Sequence, residues 1–514
     1  MRQRRQPIPR VSRGVARQFP APVGGLNARD SVANMPVSDA LILDNIFPER
    51  SWVEVRRGYA SHATGMTGAV ETLMDYNGPT PKLFAVANGS IFDASSAGAV
   101  GAALVTSLAN NRFQFVNFTN AAHSWLIAVN GADGVRTWDG SAWATQTITG
   151  GVTAANLFCV TTWKRRVWFG EQGTTKAWYL PTDAVHGNAN AIDLGGVWRH
   201  GGTIAGIIAP TFDSSAVGLE DYIGFISTRG ELALYRGTDP SNASTFQLQG
   251  VFLLGAPIGR RFFIQTGGDF ALMNVDGVVS LTQALGLDRS VVARTSVTDK
   301  ITRLFTEAVQ QYGANFGWSL TVFPEGHRVI VNVPISTTVA IQYVMNTLSG
   351  AWCRYTNHNA ACWVTWQGNL YFGGQAGGIV YRADFGTNDN GNDIAWGLKT
   401  AFSDFKVPSR LKRFTLLRPL IQATDNPNAS IALDVDYGDQ PAQNVPSFTN
   451  TSALWDNALW DVSSWGGTQT LRPWVSLGKI GYVGAVRMAG QTRGFTMQLS
   501  AFDIVFEPAQ ALGL

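Results

Sequence analysis

Four short steps, Asn88-Gly89, Asn130-Gly131, Asp133-Gly134 and Asp276-Gly277, each stand between apolar, β-rich runs. A type I′ turn needs positive φ at both central residues, so such pairs are the strongest local signal for a β-hairpin. Other paired runs follow the same plan: 166–170 with 177–179, 222–227 with 231–235 across Arg229-Gly230, 328–333 with 339–344, and 370–372 with 379–381. The hairpin centres recur at an average of about 47 residues, close to the roughly 40–50 of a four-stranded propeller blade. About seven such units fill residues 66–394. The expectation is an all-β chain whose middle is an irregular β-propeller of about seven blades. A pair of sandwiches stays open as the alternative, since sandwich strands also recur with regular turns. Trp-Asp pairs occur only at 138–139, 455–456 and 460–461, without a common period, so this is not a WD-repeat ring.

The ends read differently. Residues 395–514 carry longer alternating runs, such as 430–437 and 495–506, expected of a β-sandwich or barrel-like domain with one solvated face. The strand at 52–56 joins that domain, because a propeller's entry and exit lie close together. The expected organisation is a flexible basic arm at 1–18, then 19–65 as the first part of a platform domain. The propeller at 66–394 follows, and 395–514 completes the platform. Two helices are expected. Ser38 caps one over 39–47, ended by Pro48. Ser296 and Asp299 make a capping box for another, with Ile301, Leu304, Phe305 and Val309 as its apolar stripe.

Charged residues make up only 15% of the 514, against roughly 25% in typical soluble domains. Such a chain suits extensive burial against copies of itself. No run approaches the roughly 18 apolar residues of a membrane helix, and no apolar region follows the N-terminal arginines as in a secretory signal. Neither membrane insertion nor secretion is expected. Three cysteines, Cys159, Cys353 and Cys362, fit a reducing compartment at synthesis. The net charge of +3 is uneven. Arg2, Arg4, Arg5, Arg10, Arg13 and Arg17 stand in the first 17 residues without an acid, and the remainder holds 33 basic against 36 acidic residues. The body is no nucleic-acid magnet.

Catalytic signals are missing. The chain has neither a Gly-x-Ser-x-Gly elbow nor a Walker loop. The segment Asp133-Gly134-Val-Arg-Thr137-Trp138 lacks the spacer of a sialidase aspartate box. Cys353, His358 and Cys362 offer three soft ligands, one short of a structural zinc site. Glu220-Asp221 reads as a solvated loop. No catalytic residue, metal site or cofactor is expected.

Two segments stand out as interaction surfaces. The arginine arm is broken by Pro7, Pro9, Pro20 and Pro22, so it forms no stable helix. It pairs with a protein's carboxylates or with phosphates, or is simply a solvated tail. Trp455, Trp460 and Trp465 recur every five residues, a period of neither strand nor helix. They fix an irregular loop as buried indoles, or dock another subunit.

The run Phe19-Pro-Ala-Pro-Val-Gly-Gly-Leu-Asn-Ala-Arg-Asp30, with Met35-Pro-Val-Ser-Asp-Ala-Leu-Ile-Leu-Asp-Asn-Ile-Phe-Pro48 and Val55-Arg-Arg-Gly-Tyr-Ala-Ser-His62, resembles the opening of the tail nozzle family of short-tailed bacteriophages. That family is also called the tail hub or second tail tubular protein. The Trp-Asp pairs near residue 460 resemble its C-terminal region. The resemblance implies a structural virion protein without enzymatic activity, six copies of which close into a ring at the distal end of a short tail. It implies docking on an adaptor ring below the portal, fibres or spikes at the side, and a lumen through which viral DNA leaves without specific binding. Assembly would take place in the host cytoplasm. It also implies a propeller joined to a platform made from both chain ends. The rival readings are a propeller-type polysaccharide depolymerase and a glycan- or receptor-binding tail module.

Overall fold

Tyr59–Thr64, early in the chain, pairs antiparallel with Val380–Ala383, the third strand of the last propeller sheet. A strand from the beginning of the ring thereby completes the blade at its end. The computed structural model describes residues 14–214, 218–266, 269–286, 289–292, 296–441 and 469–509. The chain divides into two units, one of residues 59–345 and 355–385, the other of 1–58, 346–354 and 386–514.

The first unit is the β-propeller. Among the described residues, six antiparallel sheets lie within it. They begin at Val70–Tyr76, Gln114–Thr119, Leu157–Trp163, Ile204–Ile208, Phe263–Thr266 and Ala360–Trp366. Between the last two of these come the strands Ser319–Phe323, Arg328–Pro334 and Ala340–Asn346. The propeller is thus a six-blade arrangement where the sequence predicts about seven, the three-stranded set being part of a larger sheet.

Sheets stacked face to face are covered on both sides, so their strands need continuous apolar runs rather than alternation. Lys82–Ala87 is buried at five of its six positions, and Arg328–Pro334 throughout. Met74, Phe84, Phe113, Leu126 and Trp138 fill the layer between the first two sheets. Trp163, Trp168, Tyr179, Phe225 and Phe246 fill the layer between the third and fourth. Each fully buried ring of this kind contributes about 1.5–3 kcal/mol. Leu73, Ala85, Val364 and Tyr371 join the last sheet to the first, where the Cys362 thiol also donates to the Val70 carbonyl at 3.2 Å.

The second unit is a β-sandwich built from both chain ends. Its longest strands, Lys412–Ala423 and Met497–Pro508, pair antiparallel through most of their length. The other sheet contains Asp39–Asp44, Ile394–Thr400, Gly484–Thr492 and Ser430–Val435. Phe405 packs between the layers, with its ring 5.7 Å from Phe19, 5.5 Å from Phe414 and 5.7 Å from Phe506. On the opposite side, the same ring lies beside Gly484.

Several expectations need correction. Residues 39–47 form no helix: Asp39–Asp44 and Ile46–Pro48 are strands of different sheets. Asn45 between them takes φ 55°, a left-handed conformation that ends one strand and redirects the chain into the next. The later helix exists, as Thr302–Tyr312 with Phe305 and Ala308 buried, but no side chain caps its start. Ser296 is buried instead, with its hydroxyl 3.5 Å from that of Thr298. Arg17 lies in the strand Val15–Pro20, paired with Met497–Pro508, and not in a flexible arm. Residues 59–64, assigned to the platform from sequence, belong to the propeller, whereas 346–354 and 386–394 belong to the sandwich. Asp221 stands in the strand Gly218–Ser227, bonded to Lys164 at 2.5 Å, rather than in a loop.

Candidate functional site at the mouth of the propeller axis

The first strands of successive propeller sheets are neighbours around the central axis, as Val70–Tyr76 is to Ala360–Trp366 and Phe263–Thr266 is to Ser319–Phe323. Residues leading into these strands collect at one mouth. Glu71, Arg112, Arg260, Arg261 and Phe316 meet there.

Arg261 anchors the cluster. Its Nη2 donates to the Glu71 carbonyl at 3.2 Å, the Thr72 hydroxyl at 2.8 Å and the Phe113 carbonyl at 3.1 Å. Arg260 donates through Nη1 to the carbonyls of Asn130 at 3.0 Å and Arg112 at 3.3 Å. Both side chains thus tie the fifth sheet to the first and second, across more than a hundred residues of sequence. Arg112 donates from Nε to Glu71 Oε1 at 3.1 Å, and its guanidinium lies 4.2 Å from the Phe316 ring centre. The other Glu71 oxygen accepts from Asn111 Nδ2 at 3.2 Å.

Burial, followed by the nearby Arg112 charge, holds the Arg260 guanidinium below its ordinary range. Burial does the same to Arg261. Three guanidiniums therefore share one mouth with the carboxylate of Glu71, which is bonded to that of Arg112. A cavity of about 380 Å³ opens here, lined by Glu71, Arg112, Asn315, Phe316, Ser336 and Gln375 among others. A second, of about 180 Å³, shares Arg112, Asn315 and Phe316 with it and reaches Arg260 and Arg261.

Nothing in local sequence marked these residues. They are drawn from six separate segments, and only closure of the ring brings them together. The tandem Arg260-Arg261 directly before a β-rich run was the one available sign. The residues chosen from sequence lie elsewhere. Arg2, Arg4, Arg5, Arg10 and Arg13, with Trp455, Trp460 and Trp465, fall outside the described residues. Arg17 is exposed on its strand. His358 lies among the rings of Tyr59, Tyr355, Trp363 and Phe372, with centres 5.2–5.8 Å away. Burial pushes the thiol of Cys159 up to about 12 and that of Cys362 up to about 11. Among the described residues no group of three His, Cys, Asp or Glu side chains is placed to hold a metal ion, and no helix is long and apolar enough to cross a membrane.

Fold and mouth together define a β-propeller protein with an added β-sandwich unit. No family model and no curated protein matches the chain. Among solved structures it is similar to BBS1N in complex with ARL6DN, at 11% identity over 65% of this chain and 99% of that one, with a TM-score of 0.40. It is also similar to Raptor of Chaetomium thermophilum, at 8% identity over 64% of this chain and 29% of that one, TM-score 0.39. The WD40 propeller domain of Doa1 shares 12% identity over 63% of this chain and 96% of that one, TM-score 0.36.

Proposed function

We propose that this chain is a structural component of a short phage tail, forming a distal ring of six subunits around the DNA exit channel. The observation that carries this reading is the use made of the segment resembling tail nozzle proteins. Asn27 donates to Asp30 at 2.9 Å and Asp39 at 2.8 Å, and its own oxygen accepts from the backbone of Arg29 and Asp30. Arg56 is sealed in the sandwich unit against Asp389. Most of the segment that resembles the family, residues 19–58, is thus built into the sandwich unit, a structural use that supports the reading.

The charge distribution supports the same role. DNA must slide through a conduit without being held, and a body with a slight excess of acid adds few phosphate contacts. Closed rings use head-to-tail interfaces, in which two different surfaces of each subunit meet. The adaptor ring, fibres or spikes are the partners of this reading, and the arginine arm is its adaptor contact.

Native mass spectrometry of this protein mixed with the adaptor ring tests the proposal. A six-subunit ring is expected, and a persistent monomer in the mixture overturns it. Deleting residues 2–13, which spares the strand containing Arg17, should weaken docking, most at low salt where charge pairs are least screened. Trp460→Ala separates the two readings of the Trp loop. A contact residue lowers assembly at unchanged melting temperature, whereas a core residue lowers stability by roughly 3–5 kcal/mol.

A further inference from the structure

We infer that the cavity at the propeller mouth binds an acidic sugar, a hexose unit carrying a carboxylate. Its volume of about 380 Å³ sits at the small end of the roughly 300–1,000 Å³ that small-molecule sites occupy. The wall chemistry narrows the class. Arg112 and the amide oxygens of Asn315 and Gln375 face a ligand hydroxyl or carboxylate, since Asn315 Nδ2 is held by the Pro334 and Ile335 carbonyls and Gln375 Nε2 by that of Ala360, and Ser336 adds a hydroxyl of its own. Phe316 supplies an apolar face, already held in place by the Arg112 guanidinium.

Two observations go beyond the lining. Gln375 is 7% exposed, and its Oε1 has no hydrogen-bond partner among the described residues. A buried amide oxygen left this way is costly, and a ligand hydroxyl relieves it. The second is charge. Arg112 is bonded to the Glu71 carboxylate, while Arg260 and Arg261, which reach the adjoining smaller cavity, donate to backbone carbonyls, so the two joined cavities set three guanidiniums against one carboxylate and carry an excess of positive charge. Arg112 is the most accessible of the three, its side chain 45% exposed. A guanidinium in that position pairs with a carboxylate through charge-assisted bonds. A neutral sugar leaves this charge unanswered, and a bare anion leaves the amides unanswered.

Binding, rather than cleavage, follows from the same wall. Glycoside hydrolysis ordinarily needs two carboxyl groups flanking the bond. Glu71 is the only carboxylate among the residues lining this cavity, and both of its oxygens accept hydrogen bonds from Arg112 and Asn111. The inference is independent of ring formation, since every residue in it belongs to the propeller unit.

Calorimetric titration of the full chain with glucuronate, glucose and inorganic phosphate tests it. Glucuronate should bind at least tenfold more tightly than either of the others. Arg112→Gln should lower that affinity about tenfold or more. Gln375→Leu, which removes the oxygen together with the Nε2 bond to the Ala360 carbonyl, should lower it several-fold while the chain stays folded. Absence of glucuronate binding at tens of millimolar overturns the inference. So does equal binding of glucose or of phosphate, the latter marking a plain anion site. Affinity unmoved by both substitutions, with both variants folded, places the ligand elsewhere and overturns it as well.

Discussion

Arg56 and Asp389, 333 residues apart in sequence, form a two-bonded ion pair with Nη1–Oδ1 at 2.8 Å and Nη2–Oδ2 at 2.6 Å. Their side chains are 0% and 3% exposed. Asn45 completes the arrangement, accepting from Arg56 Nε at 2.8 Å and donating to the Ala395 carbonyl at 2.7 Å. The pair fastens the outgoing end of the N-terminal segment to the start of the C-terminal one.

Removing one partner leaves a charge buried without its counterion, so Arg56→Ala should destabilise the sandwich unit by about 3–5 kcal/mol. Replacing both, as Arg56→Met with Asp389→Leu, should cost much less than either single change. Urea unfolding of the three variants measures this. Additive losses would show that the pair acts as two separate groups.

Gly58 stands two residues further on, where an added Cβ would lie 1.8 Å from the Asn388 carbonyl oxygen. Its amide also donates to the Gly386 carbonyl at 3.1 Å. Backbone cannot yield as a side-chain tip can, so Gly58→Ala should cost at least the roughly 1–3 kcal/mol typical of overpacking. A thermal midpoint equal to that of the unaltered protein would refute the close approach.

Asp75 gives the propeller a pH dependence. Burial raises its carboxyl from 3.8 to about 6, against the lowering effect of the Asn77 side-chain bond. The folded state therefore holds this proton more tightly than the unfolded chain. Its stabilising contribution is fully present below pH 4 and is lost as pH rises through about 6. At about 1.4 kcal/mol per pKa unit the change is on the order of 2–3 kcal/mol. Asp75→Asn should flatten that part of the stability profile, and an unchanged slope between pH 4 and 6 would assign it to other groups.

Cys159 and Cys362 should resist alkylation. With their thiols pushed up to about 12 and about 11, almost no thiolate exists at pH 8. Iodoacetamide followed by mass spectrometry should leave both unmodified in the folded protein and modify both after denaturation. Rapid labelling of either one in the native state would expose a local opening at that blade.

The propeller was legible because its cause is local. Asn88-Gly89 takes φ 46° and 69°, the turn that its two residues favour, and joins Lys82–Ala87 to Ser90–Asp93. The hairpin at Lys164-Arg165 makes the same turn, with φ 48° and 56°, and carries no such mark in sequence. There the compensation is tertiary, through ion pairs from Lys164 to Asp221 and from Arg165 to Asp183. Residues 39–47 were misread for a related reason. Ser38 and Pro48 bound the segment as a cap and a stop would bound a helix, yet the left-handed Asn45 inside it is held by Arg56 and Ala395 from distant segments. The candidate site was illegible throughout, since the approach of Arg112 to Glu71 and Phe316 exists only once the ring has closed.

The pairing of Tyr59–Thr64 with Val380–Ala383 sets a schedule on the ribosome. The strand made first among those of its sheet pairs early with Gly98–Ala99 on one side, but cannot find its neighbour on the other until residue 383 has emerged, about 320 residues later. At roughly 5–20 residues per second this is on the order of 15–60 s. Throughout that interval the open ring presents an unpaired β edge, available to the wrong strand in the same chain or in the next one.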